Sequence, residues 1–359
     1  MKTKPVCIAY YLGQYHPIAE NDSFWGAGFT EWHNVSKARP LYPGHAQPKL
    51  PGTFGFYDLR CEETLLEQMF FAKEIGITAF CYWHYWFAGK HMLHGPLDRM
   101  LSFPDHGVKF MLGWANESWS GIWHGMHDNI LIEQTYNESE LDEHAKVISS
   151  YIKTGRYLVV DGLYPMVIYK PRQIPKAAEY LGALKKAVRR YAGVGLYMIG
   201  DWSAGRSQII ARPADWGLDA VVVTPVAAYF RSEVAYLAYA AAWRLARKIG
   251  IGPEIRAYSS VTKTLEKAIK NVDGVAHATV VTGWDSTPRS GRRGLVLAGY
   301  NKETFSKAAK SAYELEMKNE RPLLFVKSWN EWAEGNMLEP QFNETWSAAE
   351  SLKKVLCNV

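Results

Sequence analysis

Residues Glu62–Trp83 read EETLLEQMFFAKEI, then Gly76, then ITAFCYW, so one glycine separates two kinds of pattern. Up to Ile75 the apolar residues recur at helical spacing. From Ile77 they run on almost without a polar break. A glycine at the end of a helix followed at once by an apolar β-run is the joint of a parallel α/β fold. Seven more runs of this kind follow the same rhythm: Val6–Leu12, Val108–Trp114, Pro165–Tyr169, Gly195–Gly200, Leu218–Thr224, Ala278–Trp284 and Pro322–Ser328. They are filled with apolar residues rather than alternating, as strands covered on both faces require. Helical patterns lie between them at Glu138–Lys153, Pro175–Tyr191, Glu233–Ile249, Lys302–Lys318 and Ala348–Cys357. Eight such runs predict an α/β fold of the (β/α)8 TIM-barrel type, one catalytic domain over residues 1–359. A doubly wound sheet is the runner-up, disfavoured because no GxGxxG follows the first run.

The connections are unequal. Gly13–Leu59 and Ala115–Asn137 are far longer than ordinary βα loops, whereas the helix-to-strand joint at Gly76 is one residue. In a barrel the βα loops share the face that carries the active site. The first loop is therefore expected to fold over the C-terminal mouth.

Composition narrows the function. Of 359 residues, 48% are hydrophobic and 21% charged, which excludes disorder as the main state. A net charge of +5 over this length is too mild for a nucleic-acid or polybasic membrane protein. The longest nearly apolar run, Val234–Trp243, is shorter than the roughly 18 residues a spanning helix needs. MKTKP passes into the first run with no apolar leader, and Cys7, Cys61, Cys81 and Cys357 show no CxxC spacing. These features fit a cytoplasmic chain without disulfides or a zinc ribbon. The aromatic content, 14 Trp, 21 Tyr and 14 Phe, is high, and many rings sit beside Gly, Asn and Glu. Aromatic faces edged by polar groups suit sugars, whose rings present a C–H face bordered by hydroxyls. The expected partner is an oligo- or polysaccharide.

The eighth run opens into Ser328-Trp329-Asn330-Glu331-Trp332-Ala333-Glu334-Gly335. Two carboxylates three residues apart, interleaved with tryptophan, supply what glycosidic cleavage needs: one group for the leaving-group proton and one for the anomeric centre or its neighbour. Glu331 and Glu334 are the candidate catalytic pair; the plainer alternative is a capped rim with packed tryptophans. The third run ends in Trp114-Ala115-Asn116-Glu117, a second Asn-Glu. Glu31 and Trp32 in the first loop, Tyr82, His84, Tyr85 and Trp86 at the second run, Trp284 and Asp285 at the seventh, and Asn330 and Trp332 complete the candidate substrate-binding set. Trp32, Tyr85, Trp114, Trp284 and Trp332 are expected to line one cleft. His91/His94 and His124/His127 have a helix-face spacing, yet no third ligand and no HExxH accompany them, so neither metal nor cofactor is expected. No GxSxG elbow occurs. The basic stretch Arg289–Arg293 reads either as a solvated loop or as a site for an anionic sugar or nucleotide-sugar diphosphate.

The ordered series YYLGQYHPIAEND, WGAGFTEWHNV, ARPLYPGHAQPKLP, FYDLR, FCYWHYWF, WANESW, GWDSTPR and SWNEWAEGNMLEP resembles the WbsX-type family, a glycoside hydrolase family 99-like group of bacterial polysaccharide gene clusters. The resemblance runs from about Val6 to Pro340 and also implies a (β/α)8 barrel. Family 99 hydrolases are retaining endo-α-mannosidases, which implies that Glu331 acts as base on the sugar 2-hydroxyl and Glu334 as general acid. The 2-oxygen then displaces the leaving group through a 1,2-anhydro sugar. Ala333 departs from the polar residue, often His, of endomannosidases. Three readings follow: a retaining glycoside hydrolase or transglycosylase on an α-linked, mannoside-like polysaccharide; a glycosyltransferase of surface polysaccharide (O-antigen) biosynthesis, against which the lack of a strand-flanked DxD counts; or a carbohydrate-binding barrel without turnover.

Overall fold

The computed structural model describes residues 4–120, 130–203, 212–226 and 233–357. Eight strands form its centre: β1 (Val6–Tyr11), β2 (Ala79–Phe87), β3 (Lys109–Trp114), β4 (Leu163–Ile168), β5 (Gly195–Ser203), β6 (Ala220–Thr224), β7 (Val275–Val281) and β8 (Leu323–Lys327). Each pairs in parallel with the next, and β1 pairs with β2 on one edge and β8 on the other. Ile8 thus faces Ala79 on one side and Phe325 on the other, and the barrel is closed. All eight expected runs are strands of this (β/α)8 barrel.

The described helices are α1 (Glu62–Glu74), α2 (Gly95–Ser102), α3 (Glu138–Ile152), α4 (Ala177–Ala192), α5 (Glu233–Lys248), α6 (Ser260–Ile269), α7 (Lys302–Glu316) and α8 (Ala348–Cys357), besides shorter turns. The sequence pattern did not point to α2 and α6. Between β5 and β6 the described residues hold only a 3₁₀ turn, Pro213–Trp216. Gly76, at φ +90, lets the chain leave α1 and enter the sheet within a few residues; a Cβ there would meet Leu356 of α8 at 3.1 Å. Helix α7 starts with a reciprocal cap in which Thr304 N donates to Asn301 Oδ1 and Asn301 N donates to Thr304 Oγ1. It buries Phe305, Ala309, Ala312 and Glu316 on one face. The Glu316 carboxylate accepts from the backbone N–H of Ala278 (2.7 Å) and Leu323 (2.8 Å), tying β7 to β8 at the foot of the barrel. All four cysteines are free thiols, Cys7 and Cys81 buried and Cys61 and Cys357 exposed.

The first loop lies across the mouth and is fastened to the chain that follows β8. Leu12 N donates to Asn330 Oδ1 (2.8 Å) and Asn330 Nδ2 donates back to Leu12 O (3.0 Å). Beneath them is the buried carboxylate of Glu339. It accepts from Trp332 Nε1 (2.6 Å), Tyr57 OH (3.0 Å) and Gln68 Nε2 (2.6 Å), joining the segment after β8, the first loop and α1.

Burial pushes the Glu339 carboxyl up to about 7, against the pull of these donors. The folded chain therefore holds this proton more tightly than the unfolded chain, where a glutamate titrates near ~4.3. The linked stability is full below that range and is lost as pH rises through 7. Urea unfolding at a series of pH values should show the wild type losing about 3 kcal/mol relative to Glu339→Gln between about pH 5 and about pH 8. A gap between the two that stays constant with pH would mean that Glu339 does not titrate there.

Candidate active site

After β8 the chain makes a tight hairpin. Asn330–Glu331 pairs antiparallel with Asn336–Met337, and Trp332–Glu334 forms a 3₁₀ turn between them. Three residues per turn bring positions i and i+3 to the same side, so the spacing of Glu331 and Glu334 puts both carboxylates over one cleft. Gly335 closes the turn at φ +63, where a Cβ would come within 2.8 Å of Asp285 Cβ and 2.9 Å of its N. Only glycine allows the hairpin to press this closely on the β7 loop.

Arg289, in the short helix Thr287–Ser290 after β7, holds the carboxylates together. Its guanidinium donates to Glu31 Oε2 (3.0 Å), to Glu331 Oε2 (3.1 Å) and to Glu334 Oε1. Trp83 Nε1 donates to the other Glu331 oxygen at 3.1 Å. Burial pushes the Glu331 carboxyl up, as does the neighbouring Glu334, while Arg289, Lys327 and the Trp83 indole oppose the rise. Burial likewise raises Glu31, again against Arg289. Lys327, at the end of β8, sits with its ammonium 4.8 Å from the ring centres of both Tyr10 and Trp83.

The cleft has a volume of about 410 Å³. Glu331 and Glu334 line it with Arg289, Lys327, Glu117 and Asp201, so acids from the third and eighth strand ends meet at one end of the barrel. Trp83, Tyr85, Phe87, Trp119, Tyr169 and Trp284 form its aromatic walls. Tyr85 and Trp119 stack at 5.7 Å.

Several candidates lie elsewhere. Of the five rings expected to share the cleft, Tyr85 and Trp284 line it, whereas Trp32, Trp114 and Trp332 are packed inside the protein. Trp114 is fully buried and meets His144 of α3 at 4.6 Å. Trp32 and Trp332 pack on each other at 5.8 Å under the first loop, and the Trp32 indole donates to Tyr57 O (2.7 Å). Tyr82, His84 and Trp86 are on the outer face of β2: Tyr82 packs on Tyr11, and both His84 and Trp86 pack on His144. The reason is strand parity, since alternate residues point to opposite faces and Trp83, Tyr85 and Phe87 take the inner one. Asn116 is buried and bridges to Lys170, accepting from its N (2.7 Å) and donating to its O (2.9 Å). Asn330 is occupied by Leu12. Glu31 is fully buried behind Arg289. The Asp285 carboxylate accepts from Thr287 Oγ1 (2.6 Å), Gln47 Nε2 (2.5 Å) and His45 Nε2 (2.8 Å), and so latches the first loop to the β7 loop. Burial works to raise its carboxyl, but these donors and Lys49 hold it below the usual range.

His91 stacks on His94 at 4.3 Å, and His94 Nδ1 meets Asp98 at 2.6 Å; His124 and His127 lie outside the described residues. The basic stretch divides, with Arg289 in the carboxylate cluster and Arg292 and Arg293 exposed. Sequence reasoning missed Trp83, Asp201 and Lys327. A lone charge near the end of an otherwise apolar run, as in GLYMIGDWS or LLFVK, is the signal that marks the last two.

The family model described as "Glycosyltransferase WbsX" matches residues 7–349. The "Uncharacterized protein WxcX" of Xanthomonas campestris pv. campestris strain B100 is 30% identical over 358 residues, covering 97% of this chain and 49% of its own length. The WxcX of strain ATCC 33913 gives the same figures, so the chain spans about half the length of the curated relatives it matches. Among solved structures, the GH99 endo-alpha-mannosidase from Bacteroides thetaiotaomicron superposes with a TM-score of 0.61 at 14% identity, over 98% of this chain and 95% of that one. A "Glycoside hydrolase-like protein" gives 0.60 at 14% identity, over 99% and 94%. These two likenesses are likenesses of fold. By its match over nearly the whole length, the chain belongs to the WbsX glycosyltransferase family.

Proposed function

We propose that this chain is a carbohydrate-active enzyme that cleaves or transfers α-linked, mannoside-like glycosides with Glu331 and Glu334. The observation that carries the reading is the 3₁₀ hairpin that turns both carboxylates onto an aromatic-walled cleft while Arg289 spans them. The GH99 fold likeness supports it. Glu331, buried between Arg289, Lys327 and the Trp83 indole, takes the proton of the sugar 2-hydroxyl. The freed 2-oxygen displaces the axial leaving group, and Glu334, the more exposed of the two, protonates the departing oxygen. Water or a sugar hydroxyl, deprotonated by Glu334, then attacks C1 and breaks its bond to the 2-oxygen, to which Glu331 returns the proton. A sugar acceptor makes the product a transfer product, which is how a glycosyltransferase family description and a hydrolase fold meet in one site.

General acid–base assistance is worth ~10²–10⁴-fold, and Glu334→Gln should cut turnover of an α-mannoside oligosaccharide by about that factor with little change in binding. Glu331→Gln should be as damaging, and a 2-deoxy or 2-fluoro substrate should not turn over. Normal cleavage of the 2-deoxy substrate would rule out participation of the 2-hydroxyl. Full activity in both Gln variants would move the site elsewhere.

Arg289→Met leaves the buried Glu31 and Glu331 without their shared cation, a loss of the kind that costs about 3–5 kcal/mol. Both carboxyls then rise further above their unfolded values. The lost stability should return as pH falls and grow as pH rises. Thermal unfolding from pH 5 to 8 checks this, and a variant as stable as the wild type throughout would remove Arg289 as the counter-charge.

A further inference from the structure

Helix α5 exposes an apolar face in addition to its half-buried one, which carries Tyr239, Ala240, Trp243 and Ala246. Its exposed side carries Val234, Leu237, Ala238, Ala241 and Leu245, the i, i+3, i+4, i+7 and i+11 positions of one helix face, so an apolar stripe faces solvent. The half-buried side holds Tyr239, whose hydroxyl is bonded to Glu254 and Arg256. Among the described residues thirteen large apolar side chains are exposed, and six of them fall between Val234 and Ile255. The cluster is therefore a patch rather than scattered surface.

Charge accompanies it. From Val234 to Ile251 the sequence has three basic residues and no acid. Arg244 and Lys248 are exposed and, among the described residues, make no ion pair. The connection that carries α5 runs from β6 to Glu254–Ala257 and starts at the mouth: Val226, just past β6, lines the cleft and accepts from Arg256. Glu254–Ala257 pairs with Leu295–Ala298 of the connection after β7. No described helix is long and apolar enough to cross a membrane.

We infer that α5, with Ile249 and Ile251 after it, is a docking surface for an anionic bilayer and places the mouth of the cleft beside that bilayer. The apolar stripe lies in the acyl boundary, while Arg244 and Lys248 reach lipid phosphates. This stands independently of the carboxylate chemistry, since its readout is binding. The full chain is spun with vesicles of phosphatidylglycerol in phosphatidylcholine, and with phosphatidylcholine alone, at low and high salt. Co-sedimentation with the anionic vesicles, weakened by salt, is expected. Leu237→Glu with Leu245→Glu should lower the bound fraction at least ~10-fold. Arg244→Gln with Lys248→Gln should abolish the preference for anionic over neutral vesicles. Both pairs are exposed, so the unfolding midpoint and hydrolysis of a soluble oligosaccharide should not change. Failure to bind anionic vesicles at low salt overturns the inference, as does binding indifferent to both double substitutions. A dimer by light scattering that Leu237→Glu with Leu245→Glu dissociates would overturn it too, assigning the stripe to a second copy.

Discussion

One guanidinium facing three carboxylates is the constraint around which the mouth of this barrel is arranged. Arg289 is planar and permanently charged, and its fork lets it address Glu31, Glu331 and Glu334 at once, which a lysine ammonium on a flexible stem would do poorly. Without it, three acids would crowd a site where two of them are buried, and their repulsion would be relieved only by protonation or by opening the loops. Its position therefore dictates how near the first loop lies to β8, and why the β7 loop must touch the hairpin.

The loops meet this demand through polar groups out of solvent. Asp285 draws in His45 and Gln47, Glu339 draws in Tyr57, Gln68 and Trp332, and Asn330 is clamped on Leu12. A buried polar network of this kind depends on its charged members being paired, and both oxygens of Asp285 and of Glu339 are. It confers geometry more than stability, because each carboxylate accepts from two or more separate chain segments. The aromatic wealth of the sequence divides accordingly. Trp32, Trp114, Trp329 and Trp332 pack the scaffold, and Trp83, Tyr85, Trp119 and Trp284 face the cleft.

The barrel was legible because its strands are buried on both faces, and a short, continuous apolar run rich in β-branched residues suits little but a strand covered on both sides. Helices α2 and α6 were harder to see: α2 is an eight-residue helix opening on Gly-Pro, and α6 begins on Ser and carries only three buried residues. Glu331 and Glu334 stood out by their place after the eighth run and their spacing among tryptophans, a spacing that the fold uses as a 3₁₀ turn over the cleft. Which ring of Tyr82–Phe87 faces inward was not legible, because a run of aromatics on both faces erases the alternation that reveals parity. The aromatic outer face exists for His144 and its neighbours on α3, a tertiary partner that the local stretch does not announce. Arg289 hid in a Gly-rich basic stretch for the same reason: its partners are 42, 45 and 258 positions away.

Those separations govern when the site comes into being. Glu31 arrives early from the ribosome, Arg289 late, and Glu331 and Glu334 later still. Until β8 slots between β7 and β1, the acids have no common cation and the cleft has no floor. An intermediate with an unfinished barrel therefore holds neither the shared cation nor the cleft. Barrel closure, a structural event at the seam of the sheet, is thus also the event that first gathers the three carboxylates on one guanidinium.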